Sequence, residues 1–173
     1  MIDPSIDFIP LKLALLTVSD TRTEADDRSG AVLRERAEKA GHQVVLQRIV
    51  PDDREDLEGL LRELVADAGV QVVISTGGTG VTGRDITPEA FEAVYEKPIP
   101  GFGELFRWLS FQKIGTSTIQ SRATAGVAGG TYLFALPGST GAVKDGWDEI
   151  LVFQLDSRFR PCNFAELIGR LEE

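Results

Sequence analysis

Between Val70 and Glu89 the chain reads Val-Gln-Val-Val-Ile-Ser-Thr-Gly-Gly-Thr-Gly-Val-Thr-Gly-Arg-Asp-Ile-Thr-Pro-Glu. The first part is a short β-branched run of buried-strand character, the middle sets glycines among threonines, and Thr87-Pro88-Glu89 opens a helix. Threonine suits an N-cap, and proline suits the first helical position, where its missing N–H would have gone unpaired anyway. Glycines between strand and helix let the backbone take positive φ and turn its N–H groups toward an anion. The stretch predicts a strand, a phosphate-sized loop and a helix start. Glycine-rich turns of this kind recur in folds with many functions, so the loop alone assigns none.

The flanking sequence supplies the rest of an alternating pattern. Leu11 to Val18 is apolar except for Lys12, the habit of a strand covered on both faces, and Ser19-Asp20 closes it. A polar loop leads to Ser29, the expected cap of a helix that stops at Gly41. Gln43 to Val50 is a second strand, ended by Pro51-Asp52-Asp53. Leu57, Leu60, Leu61, Leu64, Val65 and Ala68 then recur at helical spacing up to Gly69. One of Asp52 and Asp53 is expected to cap that helix and the other to be free for chemistry.

Beyond the central loop, helices are predicted over Thr87 to Lys97 and Phe102 to Lys113, separated by Pro98-Ile99-Pro100-Gly101. Ser117 to Ala125 is less regular, and Gly126 to Gly130 reads as a flexible turn. Thr131 to Leu136 is another buried strand, ended by Pro137-Gly138-Ser139-Thr140-Gly141. Helices follow from about Ala142 to Gln154 and from Asn163 to about Leu171.

Strands alternating with helices imply right-handed βαβ units. The expected fold is α/β, three layers with a mainly parallel sheet and helices on both faces. At 173 residues the chain fits a single domain, with residues 1–10 as an N-terminal extension. Ser19-Asp20, Pro51-Asp52, Thr76 to Asp85 and Pro137-Gly138-Ser139 each follow a strand directly. In a parallel sheet they share the carboxyl edge, where such folds bind ligands.

Composition narrows the chemistry. One cysteine, Cys162, excludes an intrachain disulfide, and one histidine, His42, leaves too few soft ligands for zinc. His42 is expected to be a core residue. A net charge of −9 argues against nucleic acid as a partner. No apolar run is long enough for a membrane span and no signal peptide is evident, so a cytoplasmic protein is expected. Glycine loops and helix N-termini favour phosphate, and carboxylates on separate loops, Asp52 and Asp85, suit Mg²⁺. Neither a P-loop nor the dinucleotide fingerprint is present, and no nucleophile has a base beside it. Arg122 reads equally as a phosphate ligand or a surface residue. The residues alone describe a magnesium-dependent enzyme or binder of a phosphorylated small molecule.

Thr76-Gly77-Gly78-Thr79-Gly80 with Arg84-Asp85-Ile86-Thr87-Pro88-Glu89 resembles the molybdopterin-binding family of molybdenum cofactor biosynthesis. The resemblance extends through Thr17-Val18-Ser19-Asp20, Asp26 to Gly30, Gly101 to Glu104, Ser121-Arg122 and Pro137 to Thr140. Phe8-Ile9-Pro10, Gly115 to Thr118 and Pro161-Cys162-Asn163-Phe164 resemble its B-type members in particular. It implies adenylyl transfer: molybdopterin and Mg-ATP as substrates, adenylyl-molybdopterin and pyrophosphate as products. It also implies Asp52 and Asp85 as the essential, metal-directed carboxylates. By the same resemblance Ser19 belongs to the binding motifs, Thr76, Gly77, Gly78, Thr79 and Gly80 contact nucleotide phosphates, and Ser121, Arg122, Pro137, Gly138, Ser139 and Thr140 help bind the pterin or its phosphate.

Thr140-Gly141 stands where adenylyltransferases of the family often carry Pro-Lys, which removes a cation. The competing functions are therefore a non-catalytic protein that holds or delivers molybdopterin, and a nucleotide hydrolase. A homo-oligomer is expected as well, because the aromatics of Phe102 to Lys113 exceed one buried stripe and Phe8, Ile9, Phe159 and Phe164 lie outside the predicted sheet. The trimer or hexamer count comes from the resemblance alone.

Overall fold

The computed structural model describes residues 1–173. Six strands form one sheet in the order β2-β1-β3-β6-β5-β4: β1 (Lys12–Val18), β2 (Gln43–Val50), β3 (Val72–Thr76), β4 (Lys97–Pro98), β5 (Thr124–Ala128) and β6 (Thr131–Leu136). The four strands β2-β1-β3-β6 are parallel, while the β6-β5 and β5-β4 pairings at one edge are antiparallel. Helices α1 (Arg28–Lys39), α2 (Arg54–Ala66), α3 (Thr87–Glu92), α4 (Pro100–Ile114) and α5 (Thr140–Gly146) cover it. After α5 a wider helical turn over Trp147–Leu151 leads into the short α6 (Val152–Gln154).

Successive residues of β1 feed opposite faces. Leu13 and Leu15 join a core with Leu33 of α1, Phe102 and Phe106 of α4 and Val143 of α5, closed by Trp147. Ala14, Leu16 and Val18 join a second core with Leu57 and Leu61 of α2 and Phe91 of α3. Two cores on one sheet make the three layers, and they explain why β1 is a nearly continuous apolar run.

Local departures have local causes. Gly126 lies inside β5, paired with Leu133 of β6, and only Gly129 and Gly130 form the turn. An expected flexible turn is thus mostly strand, because ladder pairing overrides glycine's weak propensity. Helix α1 is capped by Asp27, whose carboxylate accepts from Gly30 N at 2.9 Å, and not by Ser29. Thr87 is the first residue of α3 and caps nothing; its hydroxyl donates to the Gly77 carbonyl at 2.8 Å, drawing the two ends of the central loop together.

The chain ends pack on the body of the subunit. Asp3 N donates to Arg158 O at 2.9 Å, Ile9 N donates to Ser157 Oγ at 3.0 Å, and Ile2 bridges Phe159. Phe8 lies against His42, Phe159 against Phe153, and Phe164 against Tyr132 and Phe134. These aromatics are satisfied within one subunit, so they no longer argue for an oligomer. Helix α4 differs: Trp108 is 61 % exposed and Phe111 50 %, with Leu105 and Ile114 also exposed. No helix is long and apolar enough to cross a membrane.

Candidate functional site

At the carboxyl edge of the parallel strands the loops enclose a cleft of about 640 Å³, within the range of small-molecule sites. Its floor is Gly77 to Gly80 after β3, with Ser19 and Arg22 after β1, Asp52 after β2 and Pro137 to Ser139 after β6. The far wall comes from Phe106, Ser110 and Ile114 of α4 and from Ser117, Thr118, Gln120 and Ser121 beyond it.

The floor is held by glycine conformation. Gly77 and Gly78 have φ of +105° and +64°, and a Cβ on Gly77 would run into the Val18 carbonyl. A side chain is therefore excluded twice, by backbone angle and by space. Thr76 is fully buried and donates to Pro137 O at 3.0 Å, tying the β3 loop to the β6 loop.

Asp53 caps α2, accepting from Asp56 N at 3.0 Å, which leaves Asp52 on the cleft. Asp52 and the preceding loop are locked reciprocally: Asp20 N donates to Asp52 Oδ2 at 3.0 Å and Asp52 N donates to Asp20 Oδ1 at 2.9 Å. The other oxygen of Asp20 pairs with Arg84. Burial, then the nearby charge of Asp85, raises the pKa of Asp52 above its usual value. Burial pushes Asp85 up too, but hydrogen bonds from the Thr82 hydroxyl and amide and from Gly80 N, with the charge of Arg122, outweigh it and hold Asp85 below the usual carboxylate value. Asp85 accepts from Thr82 Oγ1 at 2.7 Å.

The cleft brings together Ser19, Asp52, Gly77, Gly78, Thr79, Gly80, Asp85, Ser121, Pro137, Gly138 and Ser139. Thr76 and Thr140 support it without lining it; Thr140 starts α5, behind the cap that Ser139 makes to Ala142 N at 3.1 Å. Arg122 also lies outside the lining and presents no free fork to the cleft. Its guanidinium is engaged by Gly80 O, Asp85 O and Glu89. The reading from sequence missed Arg22, which donates to Gly138 O at 2.9 Å and pairs with Ser29 and Asp27. Its place directly after Ser19-Asp20-Thr21 was the available signal. It also missed Asp145 and the α4 wall, whose spacing reads as ordinary helix.

The sequence and fold have counterparts among known proteins. A family model described as "Probable molybdopterin binding domain" matches residues 14–157. The chain is 51% identical over 160 residues to molybdenum cofactor biosynthesis protein B of Escherichia coli (strain K12), covering 92% of this chain and 94% of that one. It is 45% identical to the protein of the same name from Halalkalibacterium halodurans, with 84% and 86% covered. Among solved structures, that of a molybdenum cofactor biosynthesis protein B superposes with a TM-score of 0.85 at 38% identity, covering 94% of this chain and 96% of that one. The tungsten cofactor synthesizing protein MoaB from Pyrococcus furiosus gives 0.74 at 40% identity, covering 82% and 91%.

Proposed function

The chain belongs to the molybdopterin-binding family of molybdenum cofactor biosynthesis, and from that premise we propose that it is a molybdopterin adenylyltransferase using ATP and Mg²⁺. The observation that carries the reading is the placing of Asp52 and Asp85 on one cleft with a glycine floor between them.

The donor set fits magnesium. Nowhere do three or more His, Cys, Asp or Glu side chains converge as a metal cage, and Mg²⁺ takes one or two carboxylates and completes its shell with waters and phosphate oxygens. Burial, then the nearby charge of Asp85, disfavours the Asp52 anion, and a divalent cation held by the two carboxylates would offset that cost. When bound, Mg²⁺ supplies charge neutralisation at the phosphates of ATP.

The chain's own groups do the rest. The amides of Gly78 and Thr79 are assigned to the anionic part of the nucleotide, since Gly77 N donates to Leu136 O and Gly80 N to Asp85. The terminal phosphate of molybdopterin, ionised at neutral pH, attacks the α-phosphorus; a new P–O bond forms, the α–β bridge breaks and pyrophosphate leaves. No general base is required, so alignment and charge dominate the rate. Ser121 and Pro137 to Ser139 are assigned to the pterin side, and Thr76 and Thr140 to the support of the loops.

One observation favours a non-catalytic binder instead: Thr140-Gly141 puts no cation on the β6 loop, and Arg22 is already engaged by the protein. Simultaneous measurement of pyrophosphate and adenylylated pterin separates the readings. The exposed face of α4, with Trp108 and Phe111, supports a homo-oligomer, assigned as a trimer or hexamer by family. A single domain and a cytoplasmic location complete the proposal.

A further inference from the structure

Ser121 and Arg122 are neighbours in an extended segment between the turn after α4 and β5, and only the first of them reaches the cleft. Ser121 lines the cleft; Arg122 lies on the far side of the Gly80 to Asp85 loop, in a separate depression with Val81, Thr82, Gly83, Ile86 and Glu89. From there it reaches both ends of the loop. Its backbone N donates to Thr79 O at 3.0 Å, Nε donates to Gly80 O at 2.6 Å, and Nη2 donates to Asp85 O at 2.6 Å. Its remaining nitrogen pairs with Glu89 of α3, which holds the fork in plane.

We infer that Arg122 is a positioning residue that closes the Gly80 to Asp85 loop from behind and thereby aims the Asp85 carboxylate into the cleft, without touching either substrate. The chemistry requires arginine. A planar guanidinium donates along several fixed directions at once, whereas an ammonium is a point donor and cannot span carbonyls five residues apart in the loop. Beyond Arg122, the Arg84–Asp20 ion pair and the bonds of Thr82 to Asp85, little holds the loop: Val81, Thr82, Gly83 and Arg84 are exposed, and no core residue lies between Thr79 and Ile86. Asp85 itself is oriented within the loop by Thr82, so whatever fixes the loop fixes the carboxylate.

The inference rests on the proposed role of Asp85, and the test separates the two. Hydrogen exchange is followed in the whole protein for wild type, Arg122→Ala, Arg122→Lys and Glu89→Gln, alongside Mg²⁺ titration of adenylyl transfer and direct measurement of molybdopterin affinity. Arg122→Ala is expected to speed exchange of the loop amides at least about tenfold, the factor for losing one charge-assisted hydrogen bond. Exchange in β3 should stay unchanged. Arg122→Lys should recover only part of the protection, and Glu89→Gln should loosen the loop less than Arg122→Ala. Half-maximal Mg²⁺ should rise about tenfold, with pterin affinity within about twofold of wild type. Unchanged loop exchange, or a loss of pterin affinity without a change in Mg²⁺ requirement, overturns the inference in favour of direct ligand contact. If wild type transfers no adenylyl group, the functional reading falls, and the exchange arm still decides the role of Arg122.

Discussion

Asp20 and Asp52, at the ends of neighbouring parallel strands, each accept the other's backbone N–H, at 2.9 and 3.0 Å. The exchange fixes the Asp52 carboxylate before any ligand arrives, and the free oxygen of Asp20 extends the link to Arg84 beside Asp85. One side chain thus ties together the loops carrying both candidate metal carboxylates. Asp20→Ala is expected to lower transfer about tenfold or more and to raise the Mg²⁺ requirement, whereas Asp20→Asn keeps an acceptor for Asp52 N and should recover much of the rate. Equal activity of Asp20→Ala and wild type across a Mg²⁺ titration would remove Asp20 from the account.

Asp85→Asn is expected to reduce transfer by about 10² or more while the protein stays folded, since it removes charge from a loop and no contact from either core. Asp52→Asn should behave alike. Asp53→Asn should retain activity, because Asn also caps helices and the Asp53 side chain is turned to Asp56 N. A fast Asp52→Asn with a slow Asp53→Asn would reverse the assignment.

His42 supplies a pH test away from the cleft. It is 5 % exposed, accepts Leu11 N at Nδ1 and packs between Phe8 and Trp147. Burial lowers its pKa to about 4 from 6.5, opposed by the charge of Asp156. Because the folded value lies below the unfolded one, the native state resists the proton: stability is undiminished above 6.5 and falls as pH drops from 6.5 toward 4, by up to about 3 kcal/mol. Urea unfolding between pH 7 and 4 should show this slope in wild type and a flatter one in His42→Gln. Parallel slopes would contradict it.

The open face of α4 predicts association. Wild type is expected to scatter light as an oligomer, and Trp108→Glu is expected to bring the mass toward the 18.8 kDa of one chain. A wild-type mass already near that value would leave the exposed Trp108 and Phe111 without a partner copy.

The fold was legible where one signal dominated. The apolar run of β1 and the leucine stripe of α2 reported their burial directly, and the order of strands and helices put the loops after β1, β2, β3 and β6 on one edge. Asp52, Asp85 and the glycine floor followed, because loops after parallel strands converge by topology. Other features were decided by partners distant in sequence. Gly126 looked like a turn until β6 paired with it. Thr87 looked like a cap but bonds Gly77. The facing of Arg122, away from the cleft and onto three loop carbonyls, depends on contacts across some forty residues that no local pattern encodes.

The central claim is tested most directly by incubating the purified protein with molybdopterin, ATP and Mg²⁺ and quantifying pyrophosphate and adenylylated pterin together. Adenylyl transfer predicts equal amounts of the two products, dependent on Mg²⁺ and on pterin and lost in Asp85→Asn. Pterin bound without pyrophosphate release, or nucleotide consumed without pterin, would contradict it.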